Sequence, residues 1–313
     1  MEPDTRDAIV RYVLMVTHRS GLRLKRVLAW IGLKKSTYYE WQERLGLPNR
    51  HNGKIPRSTW ILPWERDAII GYRKLHPEEG YRCMTYMMLD ENIVAVSPST
   101  TYRVLKSEDL LRRWNPGKTL KKKGFDQPLQ PHEHWHVDIK YVNFHGSFLF
   151  LISVIDGFSR YIVHHELRLT MLESDVQLTL ERALQQFPGV SPRIISDNGT
   201  QFIAKDFTEY MRLKGLQHVR TSINHPQANG KIEAFHKTIS QECLRVKSFL
   251  DLADARRRIA EYIHIYNTQR LHSAIHFLAP EEVLNGRMIE RLKERDQKLA
   301  KAQERRRHER QAA

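Results

Sequence analysis

Cysteine is nearly absent from this chain. Of its 313 residues only Cys83 and Cys243 are cysteines, too few and too far apart for a disulfide framework or a CxxC knuckle. That fits a reducing cytosol and argues against a zinc finger. Long apolar runs are missing as well. Nothing approaches the roughly 18 to 20 residues a membrane-spanning helix needs, and the acidic, polar start MEPDTRDAIV lacks the marks of a secretory signal. Acidic residues are in deficit, with 36 Asp plus Glu against 51 Lys plus Arg and a net charge of +15. Such an excess points to a polyanionic partner, nucleic acid before acidic membrane. A chain this long buries more than one core, so two or three domains are expected.

The deficit is local. Residues 1–130 hold 24 basic and 14 acidic side chains, residues 131–286 hold 17 of each, and residues 287–313 hold 10 and 5. Ends that grip phosphates around a middle that does chemistry with its own carboxylates would distribute charge this way.

The basic N-terminal part reads as two all-α units. Within residues 1–47, LRLKRVLAWIGLKKSTYYEWQERLG has helix-turn-helix spacing. Leu24, Val27, Leu28 and Ile31 share a helical face, Gly32 breaks the first helix, and Ser36 suits the N-cap of the second. Lys34, Lys35 and Tyr38 are then candidate DNA contacts, although an ordinary helical hairpin explains the same pattern. Residues 48–63, rich in Pro, Asn and Gly, read as a linker. A second helix-turn-helix unit over 64–111 has helices near Trp64–His76 and Met84–Glu91. A third helix is capped by Ser97 or Ser99 and offers Thr100, Thr101, Arg103 and Lys106 to a groove. Two such units in tandem strengthen the DNA reading. Residues 112–131 form a basic linker whose Lys121, Lys122 and Lys123 can track a DNA backbone.

From His134 the period changes to that of strands. HWHVDIKYVNF, SFLFLISVIDGFS and YIVHHELRL are three β-rich runs, with turns at Gly146 and Asp156-Gly157. A helix follows, with Thr170 and Glu173 placed as a capping box and Val176, Leu180 and Leu184 as its buried stripe. PRIISD and QHVRTS read as two further strands with KDFTEYMRLKGL as a helix between them, and two more helices follow. Strand, strand, strand, helix, strand, helix, strand, helix over 132–286 is the order of a ribonuclease-H-like α/β core with a mixed five-stranded sheet.

Three carboxylates stand out. Asp138 sits mid-strand, where a charge is costly unless it is paired or metal-bound. Asp197 ends the fourth strand, and strand ends of open α/β sheets bind ligands. Glu233 opens a helix behind the turn-forming stretch NHPQANG, with 35 residues between it and Asp197. Three oxygen donors from distant parts of a chain suit a divalent-metal site for phosphoryl transfer. Lys231 and Lys237 flank Glu233 and would hold phosphates of a DNA end, with solvated helix lysines as the plain alternative. Asn198, His225 and Gln227 are plausible neighbours of the acids, but turn formers explain themselves without function.

These residues resemble a known family. HWHVDIKYV, ISDNGTQF and HPQANGKIEAFHKTI are similar to the three acid-bearing segments of DDE transposases with a retroviral-integrase-type core. EEGYRCMTYMMLDENIVAVSPSTTYRVLK and YNTQRLHSAIHFLAPEEVL resemble flanking segments of bacterial transposases of the insertion-sequence-three family. The likeness covers roughly residues 60–285. It implies Asp138, Asp197 and Glu233 as catalytic metal ligands, Mg²⁺ or Mn²⁺ with two ions per site, and double-stranded DNA as partner, both element ends and target. It also implies binding of terminal inverted repeats, a homo-oligomer on paired ends, room for an upstream partner protein, and a place in the bacterial cytoplasm at the nucleoid. One departure is Ala234, where many relatives carry Arg directly after the Glu. It would alter DNA contacts without removing a ligand.

Two rival readings stay open on sequence: a catalytically silent DNA-binding regulator derived from a transposase, and a metal-dependent nuclease that does not join. Among decoys, Asp156 reads as a structural Asp-Gly turn. HEHWH at 132–136 places His134 and His136 on the face of Asp138, but no further Cys or His spacing supports zinc there. Arg270 and His272 either contact DNA or pack. The charged tail, 287–313, is a candidate DNA or subunit contact, or a frayed solvated helix.

Overall fold

The computed structural model describes residues 3–47, 60–111, 127–221, 229–245 and 248–311. Most of both predicted linkers, with Lys121, Lys122 and Lys123, lies outside the described residues, as do His225 and Gln227. The chain separates into two compact units, residues 1–60 with 309–313, and residues 61–308.

The first unit is built on three helices, α1 (Pro3–Ser20), α2 (Leu24–Trp30) and α3 (Lys35–Glu43). Val10 and Val13 of α1 pack on Val27, Leu28 and Tyr38. Buried Arg6 bonds the Asp7 carboxylate and the carbonyls of Arg44 and Leu47, and Asp7 accepts from the Gly46 amide. This polar clasp ties α1 to the end of α3. Three expectations change here. Tyr38 is 1% exposed, a core residue rather than a groove contact. Lys34, not Ser36, is the N-cap of α3, and it makes no side-chain cap bond. Ile31 stands 41% exposed instead of joining the apolar face. Lys34 and Lys35 are exposed.

The second unit starts with α4 (Pro63–Leu75), α5 (Tyr81–Asp90) and α6 (Pro98–Ser107) around Ile69, Met84, Met88, Val94, Val96, Val104 and Leu105. Ser97 caps α6, its hydroxyl accepting from Thr100 N–H at 3.3 Å. Thr100 and Thr101 are buried, and the Thr101 hydroxyl meets that of Thr85 at 2.8 Å. The outward face of α6 is therefore Tyr102, Arg103 and Lys106.

The sheet holds β1 (His134–Phe144), β2 (Ser147–Asp156), β3 (Ile162–Arg168), β4 (Arg193–Ser196) and β5 (His218–Arg220), in the order β3-β2-β1-β4-β5. β1, β2 and β3 pair antiparallel, while β4 runs parallel to β1 and β5 parallel to β4. His145 and Gly146 join β1 to β2 with φ of 46° and 80°, the two left-handed residues a tight hairpin turn requires. This is the ribonuclease-H-like core, with β1 at its centre. Alternation splits β1 between two layers. Trp135 and Val137 pack with α7 (Glu173–Gln186), α8 (Thr200–Ile203) and α9 (Lys205–Leu213). The opposite face packs on α10 (Gly230–Ile239) and α11 (Leu252–Thr268) through Leu149, Leu151, Ile155, Phe235, Ile239, Ile259 and Ile263. At the start of α7 the capping differs from expectation. Asp175, not Glu173, reaches back, its carboxylate accepting from Leu172 N–H and the Thr170 hydroxyl.

A buried amide spans the second layer. Asn267 of α11 accepts from Ile162 N–H at 2.8 Å and donates to Ile162 C=O at 3.0 Å. It satisfies backbone groups of β3, the edge strand of the sheet, near the register shift at Val154/Ile155. Asn267→Leu should cost about 2–3 kcal/mol, because it strands a buried donor and acceptor together. Urea unfolding monitored by circular dichroism checks this, and a cost below about 0.5 kcal/mol would mean the strand finds other partners.

The chain closes through α12 (Pro280–Leu284) and α13 (Met288–Gln311). The tail is a packed helix, against the frayed reading. Arg295, 3% exposed, forks onto both oxygens of Asp90, donates to the carbonyls of His276 and Phe277, and covers the Tyr86 ring at 4.7 Å. Arg306 forks onto Glu65. Among the described residues no helix is long and apolar enough to cross a membrane.

Candidate active site

Register brings the two aspartates level. Where β1 meets β4, His134 pairs with Arg193, Trp135 with Ile194 and His136 with Ile195. Carried two residues further, the same register sets Asp138 beside Asp197, which follows directly on β4. Residues level on parallel strands share a face, and for Asp138 that face is the one α10 covers. Asp138 is half-buried. One of its oxygens accepts from Ile139 N–H at 2.8 Å, and the other lies 3.4 Å from Nδ1 of His236. Asp197 is fixed by the Gly199 amide, which donates to Oδ1 at 2.9 Å. A Cβ on Gly199 would stand 3.1 Å from that oxygen, so a side chain there would crowd the carboxylate.

Glu233 lies in the first turn of α10 and is exposed. It stands three residues before His236, hence on the same side of the helix. Among the described residues, no group of three or more His, Cys, Asp or Glu side chains stands close enough to hold a metal ion. The structure therefore brings together Asp138 and His236 and aligns Asp197 with them, while Glu233 sits one turn away on the helix that touches Asp138.

The remaining candidates divide. Lys237 is exposed and Lys231 half-buried. Burial, then the charge of Arg160, pushes the Lys231 ammonium down to about 8. Asn198 donates to the Thr221 carbonyl at 2.7 Å, a bond that holds the turn after β4 to the end of β5. Arg270 is engaged by Glu242, at distances of 2.7–3.2 Å, so it packs as an ion pair. His272 stacks edge-on against Tyr266. Burial first, then the charges of Arg270 and Arg160, holds its imidazole down at about 3. His132 accepts from the Trp135 indole N–H at 3.2 Å, a structural use. Asp156 is buried and accepts from His132 N–H, Ser159 N–H and the Ser159 hydroxyl at 2.6–2.8 Å. It shapes the turn, as its Asp-Gly context suggests.

His236 and Arg160 escape a sequence reading, whereas His136 is legible only as sharing the face of Asp138. His236 could have been found from its i+3 spacing to Glu233. His136 is 1% exposed and lies against the Asn229 side chain. Burial first, then Lys231 and Arg160, pushes it down to about 3. Arg160 carries no sequence signal at all, because its placement depends on a left-handed backbone.

An acid on the central strand of such a sheet and a second beyond the adjacent parallel strand define a ribonuclease-H-like nucleotidyl-transfer core. Two family models described as integrase core domains match residues 128–226 and 214–280. Among relatives, the 31.7 kDa protein of insertion element IS407 from Burkholderia multivorans is 26% identical over 85% of this chain and 92% of its own length. Transposase InsD of insertion element IS2 from Escherichia coli is 24% identical over 84% and 85%. The transposase of insertion sequence element IS904 from Lactococcus lactis is 28% identical over 49% and 61%. Among solved structures, the HTLV-2 integrase catalytic core domain in complex with magnesium aligns with a TM-score of 0.40 at 16% identity, over 50% of this chain and 98% of that one. The integrase core models and the insertion-sequence transposases this chain resembles support a DDE transposase of the insertion-sequence-three family type.

Proposed function

We propose that the protein binds the terminal inverted repeats of its element, cuts a strand at each end and joins the exposed 3′-hydroxyl to target DNA. The observation that carries this reading is the parallel register of β1 and β4, which, continued two residues past its last pair, brings Asp138 level with Asp197, together with the contact of Asp138 with His236 on the helix that bears Glu233. The donor set is three carboxylates, hard oxygen ligands that fit Mg²⁺ or Mn²⁺, two ions per site, better than a softer metal. Such ions, when bound, supply charge to the reacting phosphate and acidify the attacking oxygen. The chain's own part is to hold the donors still: Ile139 N–H and His236 fix Asp138, and Gly199 N–H fixes Asp197. In joining, a bond forms between the 3′-oxygen and a target phosphorus as one target P–O bond breaks. The leaving 3′-oxygen takes up a proton, so phosphodiesters are exchanged and none is lost.

Lys231, Lys237, Asn198, His225 and Gln227 belong in this reading to the path of the DNA end. Lys121, Lys122 and Lys123 follow the backbone, and Lys34, Lys35, Arg103 and Lys106 face the repeat. Paired ends call for a homo-oligomer. The work is done in the bacterial cytoplasm, with or without an upstream partner protein.

The test is a strand-transfer assay with purified protein, Mg²⁺, supercoiled plasmid and a labelled duplex ending in the element's own repeat. Joined product supports the transposase reading. Cutting without joining supports the nuclease, and tight binding without either supports the silent regulator. In the same system, Lys34→Ala with Lys35→Ala should weaken binding and lower the slope of log K against log salt by about 1.8, about 0.9 for each phosphate no longer neutralised. An unchanged slope removes both lysines from the DNA-binding surface.

A further inference from the structure

The second helix-turn-helix unit meets the segment that closes the catalytic core at Arg295 of α13. This guanidinium is buried. It donates to both oxygens of Asp90, at the end of α5, at 2.9 and 2.6 Å, and to the carbonyls of His276 and Phe277 at 2.9 and 2.7 Å. It also lies 4.7 Å from the Tyr86 ring, and Tyr86 stacks on Phe277 at 4.9 Å and 19°. Arg291 and Lys298 stand on the same stripe of α13. Arg291 pairs with Asp90 and with Glu282 of α12, while Lys298 donates to the Leu89 and Asp90 carbonyls.

His276 and Phe277 stand at φ 58° and 56°. Two successive residues with side chains are strained in the left-handed region, so the surroundings must impose that conformation. The turn is held from two sides. On one, Ile275, Leu278 and Val283 are buried together and pack with Phe158, from the loop between β2 and β3. On the other, Arg295 takes the two carbonyls. The strained turn thus brings both to a single guanidinium.

The consequence concerns distance. α5 carries α6 with it, because the Thr85 and Thr101 hydroxyls bond at 2.8 Å and Met84, Met88, Val104 and Leu105 share one core. Through Arg295, the outward face of α6 is tied to the core that holds Asp138 and Asp197. Residues 108–133 join α6 to β1, and a connection of that length allows many separations. Arginine suits a clamp, since its planar fork fixes direction at several acceptors where lysine is a point charge. We infer that Arg295 is a positioning residue for cutting: by clamping α5 to the His276-Phe277 turn, it sets the spacing between the repeat sequence under α6 and the phosphate that reacts. This rests on the transposase reading and adds to it a determinant of where the strand is cut.

The experiment uses the full chain and terminal-repeat duplexes that run on into flanking DNA, each with one base pair inserted at a different step of the repeat. One base pair moves the end by about 3.4 Å, and misplacement by about 1 Å costs about 100-fold in rate. Wild type should cut the uninterrupted duplex at one phosphate, and lose about 100-fold there when the insertion lies between the α6 segment and the end. Arg295→Met should bind the uninterrupted repeat within about threefold of wild type. It should spread its cuts over neighbouring phosphates and lose less than about tenfold on insertion. Arg295→Lys should fall between the two. A role in stability alone would lower the yield of cut strand without moving the cut. The clamp is read separately, without DNA, as the distance between spin labels on Lys74→Cys and Leu213→Cys in a Cys83→Ser chain. Both labelled positions are exposed, and Cys243 is buried. One narrow distance in wild type should broaden in Arg295→Met. Asp90 keeps Arg291 as a partner in that variant. If the variant melts nonetheless, Tyr86→Leu, which removes the stack on Phe277, carries the same comparison. An unchanged cut position and insertion penalty overturn the inference, as does an unchanged distance. No cutting by wild type removes the transposase reading and the register with it, while a broadened distance leaves the clamp standing.

Discussion

Asp197→Asn should abolish strand cutting and joining, by about 10³-fold or more, while leaving the affinity for the terminal repeat within about twofold. Several kcal/mol of transition-state stabilisation depend on a metal held by carboxylates, and each 1.36 kcal/mol is tenfold in rate. The substitution is gentle to the fold. Asn keeps an Oδ1 that can still accept from Gly199 N–H, the bond that fixes Asp197 at 2.9 Å. Asp138→Asn should behave alike, since its Oδ1 can still accept from Ile139 N–H. Glu233→Gln is gentler still, because Glu233 is exposed. The measurement is single-turnover cutting of a labelled end, paired with a binding isotherm on the same preparation. Cutting within tenfold of wild type by Asp197→Asn would sink the assignment of this acid. Loss of both cutting and binding would say instead that the residue shapes the DNA site.

Those acids could be read in the sequence because their chemistry conflicts with their surroundings. An aspartate amid HWHVDIKYV breaks a buried strand, and one after IIS sits where a short strand must end. The hairpin at His145-Gly146 was legible for a similar reason, a glycine between two alternating runs. What could not be read depends on pairing across the chain. Tyr38 looks like a groove residue on a helix with two lysines before it, and only the presence of α1 against it makes it core. Thr101 looks exposed until Thr85, sixteen positions earlier, meets it. His236 meets Asp138 only through the packing of α10 on the sheet, and Arg160 takes a left-handed backbone; neither leaves a periodic trace. The tail misled because its composition is that of a solvated helix. Its two buried arginines, Arg295 and Arg306, are set among others identical in type.

Arg306→Met should destabilise the 61–308 unit by about 3–5 kcal/mol, the cost of leaving a buried charge without its partner. Glu65 is fully buried, and Arg306 is 3% exposed. Arg306 donates to both carboxylate oxygens of Glu65 and to the Ala95 carbonyl. The same Glu65 accepts from Leu62 N–H at 2.8 Å and so caps α4. Removing the arginine therefore strands the carboxylate and loosens the helix start together. Arg295 fixes the other end of the strap. It forks onto Asp90 of α5 and supplies the carbonyls of His276 and Phe277, which both stand at positive φ. Between them the two arginines bind α4 and α5 to the segment that closes the catalytic core. Urea unfolding of Arg306→Met, and of Arg306→Met with Glu65→Met, measures the pair. Two apolar side chains of similar size can replace a buried ion pair at little cost, so the double variant should recover much of the stability, less what α4 gives up with its cap, about 1 kcal/mol. A single variant destabilised by less than about 1 kcal/mol would show that water or Arg305, whose guanidinium also reaches Glu65 at 3.1 Å, takes over the charge. The strap would then be held by Arg295 alone.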